Sequence, residues 1–217
     1  MYRSWIPDLP NAEIFLVQLP GRDNRIKEFL PTRLMTIIEP LTEAIMRQID
    51  EPFAFFGHSM GALIAFETAR ELRRRQALQP VHLFVSARHA PQEPDPYAEL
   101  YLLPEQEFII KSESLFGALP EIVKQDPEAL KLFVAILRSD LTMLGTYRYT
   151  HESALSTPIS VFGGTQDGSV TEKALQDWSE QTTNTFAMQM IAGDHFFIQS
   201  SRDLLLAYIN RILPSSL

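Results

Sequence analysis

The segment Gly57-His58-Ser59-Met60-Gly61 contains the residue types that surround a nucleophilic serine. It follows the apolar run Phe53 to Phe56 and precedes a run with helical spacing, Ala62 to Glu67. This order predicts a strand, a sharp turn and a helix, with the Ser59 hydroxyl lifted clear of the sheet at the turn. We expect the glycines on both sides of Ser59 to remove Cβ atoms that would clash at the turn. The segment therefore predicts nucleophilic catalysis by Ser59.

A serine hydroxyl is a weak nucleophile unless a positioned base takes its proton and a carboxylate orients that base. Among the five histidines, His195 is the best candidate base because it follows the strand-like run Phe186 to Ile191 and precedes a C-terminal helical run. Loops at strand ends often carry such residues. His58 adjoins the nucleophile, but adjacent side chains diverge at a tight turn. We therefore assign His58 to packing beneath the turn.

Two aspartates compete for the role of the acid. Asp167 follows the strand-like run Ile159 to Phe162 and a turn, so it also lies in a loop just beyond a strand. Asp194 is next to His195, yet consecutive side chains rarely meet face to face. We favour Asp167, which makes the chain order Ser59, Asp167, His195, as in α/β-hydrolases rather than chymotrypsin or subtilisin.

Strand-like and helical runs alternate near both ends of the chain, which predicts an α/β fold with a mostly parallel sheet flanked by helices. The first predicted strand is Ile14 to Gln18, and the next ends at Phe56. We interpret residues 1–217 as a single domain. The alternation stops at about residues 90–157, where short helical runs and one long run indicate a helical lid insertion. Phe116 and Met143 in this insertion are candidates for lining a substrate channel.

Composition excludes several classes of function. The chain has 217 residues, a formal net charge of −8 and no cysteine. The negative charge argues against nucleic acid or an anionic membrane as partner, and the absence of cysteine excludes disulfides and a thiol nucleophile. No metal-binding motif, signal peptide or long apolar run is present, so we expect no metal and a cytoplasmic location.

Two groups of cations could contact a ligand. The cluster Arg70 to Arg75 closes the predicted helix after Ser59, where cations suit a solvated helix end, although a contact with a partner is an alternative. Arg22 could clamp a substrate carboxylate, but pairing with a neighbouring acid to hold its loop is the interpretation we favour.

The chain resembles the type II thioesterases that accompany nonribosomal peptide and polyketide synthases. The resemblance runs from the first residues to the C-terminal helix. The segments that carry it are Tyr2-Arg3-Ser4-Trp5, Val17 to Arg25, Phe56 to Ala62, Val81 to Arg88, Gly163 to Asp167 and Gly193 to Phe197.

This resemblance implies hydrolysis of acyl or aminoacyl thioesters on the phosphopantetheine arm of acyl or peptidyl carrier proteins. It assigns Ser59, Asp167 and His195 to the catalytic triad. No cofactor is implied, because the substrate itself carries the phosphopantetheine, and we expect a monomer. Asp194 stands where the family usually has a second glycine before the histidine.

A second departure concerns the N-terminal region. Members of this family normally have a strand and a glycine-rich loop just before the Tyr2 to Trp5 segment, and that loop supplies one of two oxyanion-hole N–H groups. Only the Met60 N–H can be identified here, so we expect impaired activity. Two alternative interpretations are another serine esterase or acyltransferase of the same fold, and a non-catalytic relative that binds a carrier protein.

Overall fold

The computed structural model describes residues 2–117, 119 and 121–213. The strands are β1 (Ala54–His58), β2 (His82–Ser86), β3 (Ile159–Gly164) and β4 (Phe186–Ile191). The α-helices are α1 (Met35–Gln48), α2 (Met60–Arg74), α3 (Glu105–Phe116), α4 (Glu121–Lys124), α5 (Pro127–Thr146), α6 (Glu172–Gln176), α7 (Phe197–Ser200) and α8 (Arg202–Ile212). Short 3₁₀ helices cover Tyr2–Asp8, Asp23–Arg25, Leu100–Leu102 and Asp177–Gln181. Within the described residues, no helix is long and apolar enough to cross a membrane.

The four strands form one sheet in the order β1-β2-β3-β4, and every neighbouring pair is parallel. This arrangement confirms the predicted α/β fold with a parallel sheet flanked by helices. His58 at the end of β1 is in register with Ser86 at the end of β2. Because the strands run in the same direction, the loops that follow all of them meet at one edge of the sheet.

Both faces of the sheet are covered, as alternation along β2 illustrates. Leu83 and Val85 pack into one cluster with α2 and α6, whereas Phe84 packs into a second cluster with α7 and α8. Period-two alternation of buried apolar residues is what a parallel strand between two helical layers requires. Because it is packed on both faces, the sheet gives rigid support to the loops that follow its strands.

The prediction of a strand at Ile14 to Gln18 is wrong. The segment has no strand assignment and pairs with no strand of the sheet. Phe15 and Val17 are each 56% exposed. A strand exists only where its N–H and C=O groups meet those of a neighbour, and in the described part of the chain β1 has one neighbour, β2. The apolar pattern of residues 14–18 is therefore not sufficient for a strand.

The segment between β2 and β3 contains α3, α4 and α5, in agreement with the helical runs predicted there. Its buried side chains pack mainly against α1 and the adjacent face of α2. Leu141 and Leu144 of α5, for example, share one apolar cluster with Ile38 of α1 and Leu63 of α2. The inserted helices therefore lie beside the serine-bearing turn, which forms the start of α2.

An ion-pair network joins the end of α2 to the chain that follows α5. Glu152 accepts from Arg70 at 2.7 Å, Arg73 at 2.8 Å and Arg74 at 2.6 Å. The Arg70 side chain is only 3% exposed and also bonds Glu67. The prediction of a solvated helix end is therefore wrong for Arg70. The arginines of this cluster instead pair with acids of the same chain. The pairs with Glu152 hold the end of the insertion against α2.

We predict that Glu152 stabilises the fold in a pH-dependent way. Partial burial acts to raise the pKa of Glu152, but hydrogen bonds from the three arginines lower it to about 2. Its folded pKa is below the ordinary value of 4.5, so its contribution is complete above pH 4.5 and is lost as the pH falls towards 2. Glu152→Gln should reduce the free energy of unfolding at pH 7 by about 1–2 kcal/mol. Urea unfolding of both proteins across this pH range measures the difference.

Glu43→Gln provides the control, because Glu43 pairs with Arg47 on the exposed surface of α1. Its unfolding free energy should differ little from that of the parent at any pH. A Glu152→Gln deficit that stays constant from pH 7 to pH 2 would contradict the assignment.

Candidate active site

The turn that carries Ser59 has the conformation predicted for a nucleophile. Ser59 lies between β1 and α2 with φ 53° and ψ −118°, an uncommon conformation for a residue other than glycine. Its N–H donates to the Ser86 carbonyl at 2.7 Å, which ties the turn to the end of β2. Such strain costs about 1–3 kcal/mol and persists only where surrounding structure holds it. The Ser59 hydroxyl makes no hydrogen bond to any described residue, and Ser59 lies at the wall of a cavity.

The two glycines that flank Ser59 are not equivalent. A Cβ built at Gly57 would overlap the backbone of Gly61 and come within 2.6 Å of the Ala62 Cα. Apart from its chain neighbours and the backbone of its own helix, a Cβ built at Gly61 would meet no atom within 4 Å. The expectation that both glycines prevent a clash is therefore correct for Gly57 and wrong for Gly61.

His195 and Asp167 meet across two loops. The Asp167 Oδ2 accepts from His195 Nδ1 at 2.9 Å, and the side chains are only 2% and 6% exposed, respectively. The Asp167 loop follows β3 and the His195 loop follows β4. These strands are adjacent and parallel, so their following loops are neighbours although the two residues are 28 positions apart.

Ser169 is a third member of this group that sequence reasoning missed. Its hydroxyl donates to Asp167 Oδ1 at 2.6 Å, its backbone N–H donates to the same oxygen at 2.9 Å, and its Oγ lies 3.1 Å from His195 Nδ1. The hydroxyl proton is committed to the carboxylate, so the Ser169 oxygen can only accept from His195. Both neighbours of Nδ1 are then acceptors, which places the proton on Nδ1 and leaves Nε2 unprotonated in the neutral ring. The spacing Asp-x-Ser, typical of side-chain to backbone turns, was the available signal.

The close contact between the two loops depends on Gly164, the last residue of β3. The carbonyl oxygen of Gly193 would lie 2.6 Å from a Cβ built at Gly164, and the Asp194 carbonyl would overlap it. The Asp194 side chain instead accepts from the Phe196 N–H at 2.8 Å and is exposed. The structure thus brings Asp167, and not Asp194, to His195.

Opposing influences act on the ionisable groups at the site. Burial acts to raise the pKa of the Asp167 carboxyl, but hydrogen bonds from His195 and Ser169 outweigh it and hold this pKa below its usual value. Burial, followed by the charge of nearby His195, lowers the pKa of His58 to about 3. His58 is therefore neutral at neutral pH. Its Nδ1 lies 2.9 Å from Ser86 Oγ and its ring centroid lies 5.0 Å from that of His195, in keeping with a packing role.

A cavity of about 230 Å³ opens beside Ser59 and His195. Aliphatic side chains of α5, namely Leu137, Leu141 and Leu144, form one wall together with the aromatic rings of Tyr97 and Phe116. The Phe116 ring centroid is 5.3 Å from that of His195. Phe116 therefore lies where a channel residue is expected. Met60, at the first position of α2, also lines the cavity.

The structure places Met143 elsewhere. Its side chain is fully buried in the cluster between α5, α1 and α2, and it is not among the residues that line the cavity. Leu141 and Leu144 line the cavity, whereas Met143 is directed away from it because successive residues of a helix are about 100° apart. The structure does not support Met143 as a channel residue.

Charged residues also line the cavity. Asp140 of α5 is held by a bidentate pair with Arg22, at 2.7 and 3.1 Å, which confirms the expectation that Arg22 pairs with an acid. Arg88 and Asp95 form a second pair at 2.9 Å. Sequence reasoning did not single out Arg88 or Asp95. Within residues 2–117, 119 and 121–213, no group of three or more histidine or acidic side chains is arranged to hold a metal ion.

A parallel sheet that presents a serine at a sharp strand-to-helix turn, with a histidine and an acid in later loops, is the arrangement of the α/β-hydrolases. Solved structures agree over almost the entire chain. RedJ, a thioesterase from the prodiginine biosynthetic pathway in Streptomyces coelicolor, superposes with a TM-score of 0.91 at 31% identity, over 98% of this chain and 84% of RedJ. The protein therefore has the α/β-hydrolase fold.

The chain belongs to the thioesterase domain family, whose model matches residues 1–213. A gramicidin S biosynthesis protein, GrsT of Aneurinibacillus migulanus, is 45% identical over 202 residues, which cover 93% of this chain and 78% of GrsT. The type II thioesterase BorB from the borrelidin biosynthetic cluster is 34% identical, with a TM-score of 0.78 over 89% of this chain and 78% of BorB. The protein is an enzyme of this family.

We predict opposite tolerance at the two glycines of the turn. Gly57→Ala should reduce the free energy of unfolding by about 3 kcal/mol or more, because the new methyl group can only be accommodated by moving the turn. Gly61→Ala should be neutral or stabilising by up to about 1 kcal/mol, because alanine favours a helix over glycine. Thermal and urea unfolding measure both. Equal destabilisation by the two substitutions would contradict the description of this turn.

Proposed function

We propose that the protein hydrolyses acyl or aminoacyl thioesters carried on the phosphopantetheine arm of carrier proteins, as a type II thioesterase of a nonribosomal peptide or polyketide synthase. The observation that carries this proposal is the buried hydrogen bond between His195 and Asp167 at the wall of the cavity that Ser59 also lines. The relatives support the substrate class, since GrsT is named for gramicidin S biosynthesis and BorB for a borrelidin cluster.

In the proposed first step, His195 Nε2 takes the Ser59 hydroxyl proton while Ser59 Oγ attacks the thioester carbonyl. Asp167 and Ser169 favour this direction, because they hold the imidazole proton on Nδ1 and stabilise the imidazolium that forms. The low pKa of Asp167 keeps this partner ionised at neutral pH. Ser59 and His195 share no hydrogen bond in the described structure. Such contacts often tighten only when substrate is bound.

The carbonyl oxygen becomes an oxyanion in this step. The Met60 N–H is the group we assign to it, because Met60 is the first residue of α2 and the first N–H groups of a helix lack partners within the helix. The positive end of the helix dipole also favours negative charge at this position. One such donor is commonly worth about 10²–10³ in turnover.

The tetrahedral intermediate then collapses. The carbon–sulfur bond breaks, the thiol of the arm leaves with the proton from His195, and an ester remains on Ser59. Water attacks this ester in the second half-reaction, giving its proton to His195. The acid is released as Ser59 recovers a proton from the imidazolium.

We predict that Ser59→Ala abolishes this reaction. The variant should lower hydrolysis of an acylated carrier protein by several orders of magnitude, with an unchanged melting temperature or a slightly higher one because the hydroxyl is not part of the packing. Release of the free acid from the loaded carrier measures turnover. Residual activity within tenfold of the parent would show that Ser59 is not the nucleophile.

The acid is tested by a matched pair of amide substitutions. Asp167→Asn should lower turnover by about 10⁴, because an amide at this position favours the wrong imidazole tautomer. Asp194→Asn should have little effect, because the Asp194 side chain bonds the Phe196 N–H rather than His195. The same carrier assay measures both variants, and the reverse ranking would refute the assignment.

The same triad would serve an esterase or an acyltransferase of this fold. Hydrolysis of acylated carrier protein much faster than of a simple oxygen ester supports the proposal. Comparable rates favour a general esterase, and transfer of the acyl group to an added alcohol or amine instead of water favours an acyltransferase.

A further inference from the structure

The turn after β2 places a second polar group in the cavity, separate from Ser59, Asp167 and His195. Arg88, His89 and Asp95 all line the cavity, and their side chains are 10%, 9% and 10% exposed, respectively. Arg88 Nη2 donates to Asp95 Oδ2 at 2.9 Å, and the other oxygen of Asp95 accepts from the Tyr97 N–H at 2.8 Å. We name Arg88, His89 and Asp95 the polar wall.

The polar wall has hydrogen-bonding groups that no described residue satisfies. A guanidinium has five N–H donors, and in the described part of the chain the Arg88 side chain makes one hydrogen bond, to Asp95. The buried Nε2 of His89 has no hydrogen-bond partner among the described residues and is 3.7 Å from Asp95 Oδ2. Leaving a buried polar atom such as His89 Nε2 without a partner destabilises the fold. This atom, together with the Arg88 donors that no described residue accepts from, points to a ligand that completes the wall.

The chemistry of the wall restricts that ligand. The positive charge of Arg88 is balanced by Asp95, so the wall favours a neutral oxygen over a full anion. His89 Nδ1 lies 3.2 Å from the Ala90 carbonyl, which can only accept, whereas the Asp95 oxygen at 3.7 Å is beyond hydrogen-bond distance of Nε2. This geometry favours the ring proton on Nδ1. In a neutral ring, Nε2 is then an acceptor. A secondary amide matches both groups, since its oxygen accepts from Arg88 and its N–H donates to His89.

The backbone beneath the wall is rigidly held. The Ala87 N–H donates to the Phe162 carbonyl at 2.9 Å, the Trp178 indole donates to the Arg88 carbonyl at 2.8 Å, and the Ala90 N–H donates to the Ala174 carbonyl at 3.0 Å. Ala87 has φ 51°, a conformation that fixes the direction of the turn. Because this backbone is already ordered, the side chains of the polar wall can bind a ligand with little further loss of conformational entropy.

The cavity also has apolar lining residues, namely the leucines of α5, Phe116 and Val170. A plain alkyl chain would match these residues alone and would offer Arg88 no hydrogen-bond acceptor. We propose that the polar wall binds a secondary amide of the thioester substrate. This inference rests on the proposed function and narrows its substrate class. Secondary amides occur both in peptidyl or N-acylaminoacyl groups and in the pantetheine arm.

Four thioesters separate these two sources. The acyl groups are heptanoyl and N-butanoylglycyl, which have the same number of chain atoms and differ by one amide. Each is joined to ethanethiol, which has no amide, or to pantetheine. For each substrate the variant is compared with the parent, so the intrinsic reactivity of the substrate cancels.

Arg88→Met should lower kcat/KM for the N-butanoylglycyl ethyl thioester by about 10- to 100-fold, and that for the heptanoyl ethyl thioester much less. This result places the amide of the acyl group at the wall. Equal losses for both pantetheine thioesters, with neither ethyl thioester affected, place the amide of the arm there and also support the proposal. Equal losses for all four would overturn it, because Arg88 would then only support the fold.

Arg88→Met leaves Asp95 unpaired, so Arg88→Lys serves as the second variant. A lysine can keep the ion pair with Asp95 but lacks the other N–H donors of the guanidinium. We therefore expect the same pattern of losses among the four substrates as for Arg88→Met. Arg138→Met is the control. Arg138 also ties the insertion together, through the Tyr101 and Leu103 carbonyls, but does not line the cavity. It should leave the preference among the four substrates unchanged.

The proposed function and the proposed binding of an amide at the polar wall can be refuted independently of each other. If the parent protein hydrolyses neither an acylated carrier protein nor any of the four thioesters, the proposed function is refuted. Binding of all four thioesters to the Ser59→Ala protein, measured by calorimetry with and without Arg88→Met, then still tests the wall. Affinities that the substitution leaves unchanged for all four thioesters would overturn the inference.

Discussion

Strand direction determines where every group of the site lies. The sheet is entirely parallel in its four described strands, so the loops that carry Ser59, Arg88, Asp167 and His195 leave it at the same edge. Each of the four residues follows a different strand. The hydrogen bond between Asp167 and His195 then requires only that β3 and β4 be neighbours and that their loops approach closely. Gly164 permits this approach because it has no side chain to separate them.

The same edge contains several groups that reduce the stability of the fold. Ser59 and Ala87 both have positive φ, and the Nε2 atoms of His58 and His89 are buried without hydrogen-bond partners among the described residues. Unfavourable features of this kind concentrate where a surface is shaped for a ligand, and the rest of the fold must compensate for them. The apolar clusters on both faces of the sheet and the ion pairs of Glu152 supply that compensation.

Local patterns in the sequence were sufficient to predict the parts of the site that depend on chain order. The strand, turn and helix around Ser59 and the position of Asp167 beyond a strand follow from patterns a few residues long. Contacts between distant segments were not predictable in this way. Gly61 could not be separated from Gly57, because the overlap at Gly57 depends on how α2 folds back over the turn. Met143, Leu141 and Leu144 are all apolar residues of α5, and only the direction of each side chain separates those that line the cavity from Met143. Similarly, the apolar run at residues 14–18 carries no information about whether a neighbouring strand is present.

The insertion between β2 and β3 also has a consequence for how the chain folds. Leu83 and Ile159 are neighbours in the sheet although the whole insertion lies between them in the chain, whereas the β1–β2 pair joins segments separated by one helix. The entropy of closing a chain segment rises with its length, and contacts distant in sequence form slowly. During synthesis, β1, α2 and β2 leave the ribosome well before β3. The serine-bearing turn can therefore form early, whereas the acid and the base join it only after the insertion has emerged and the sheet has closed over that distance.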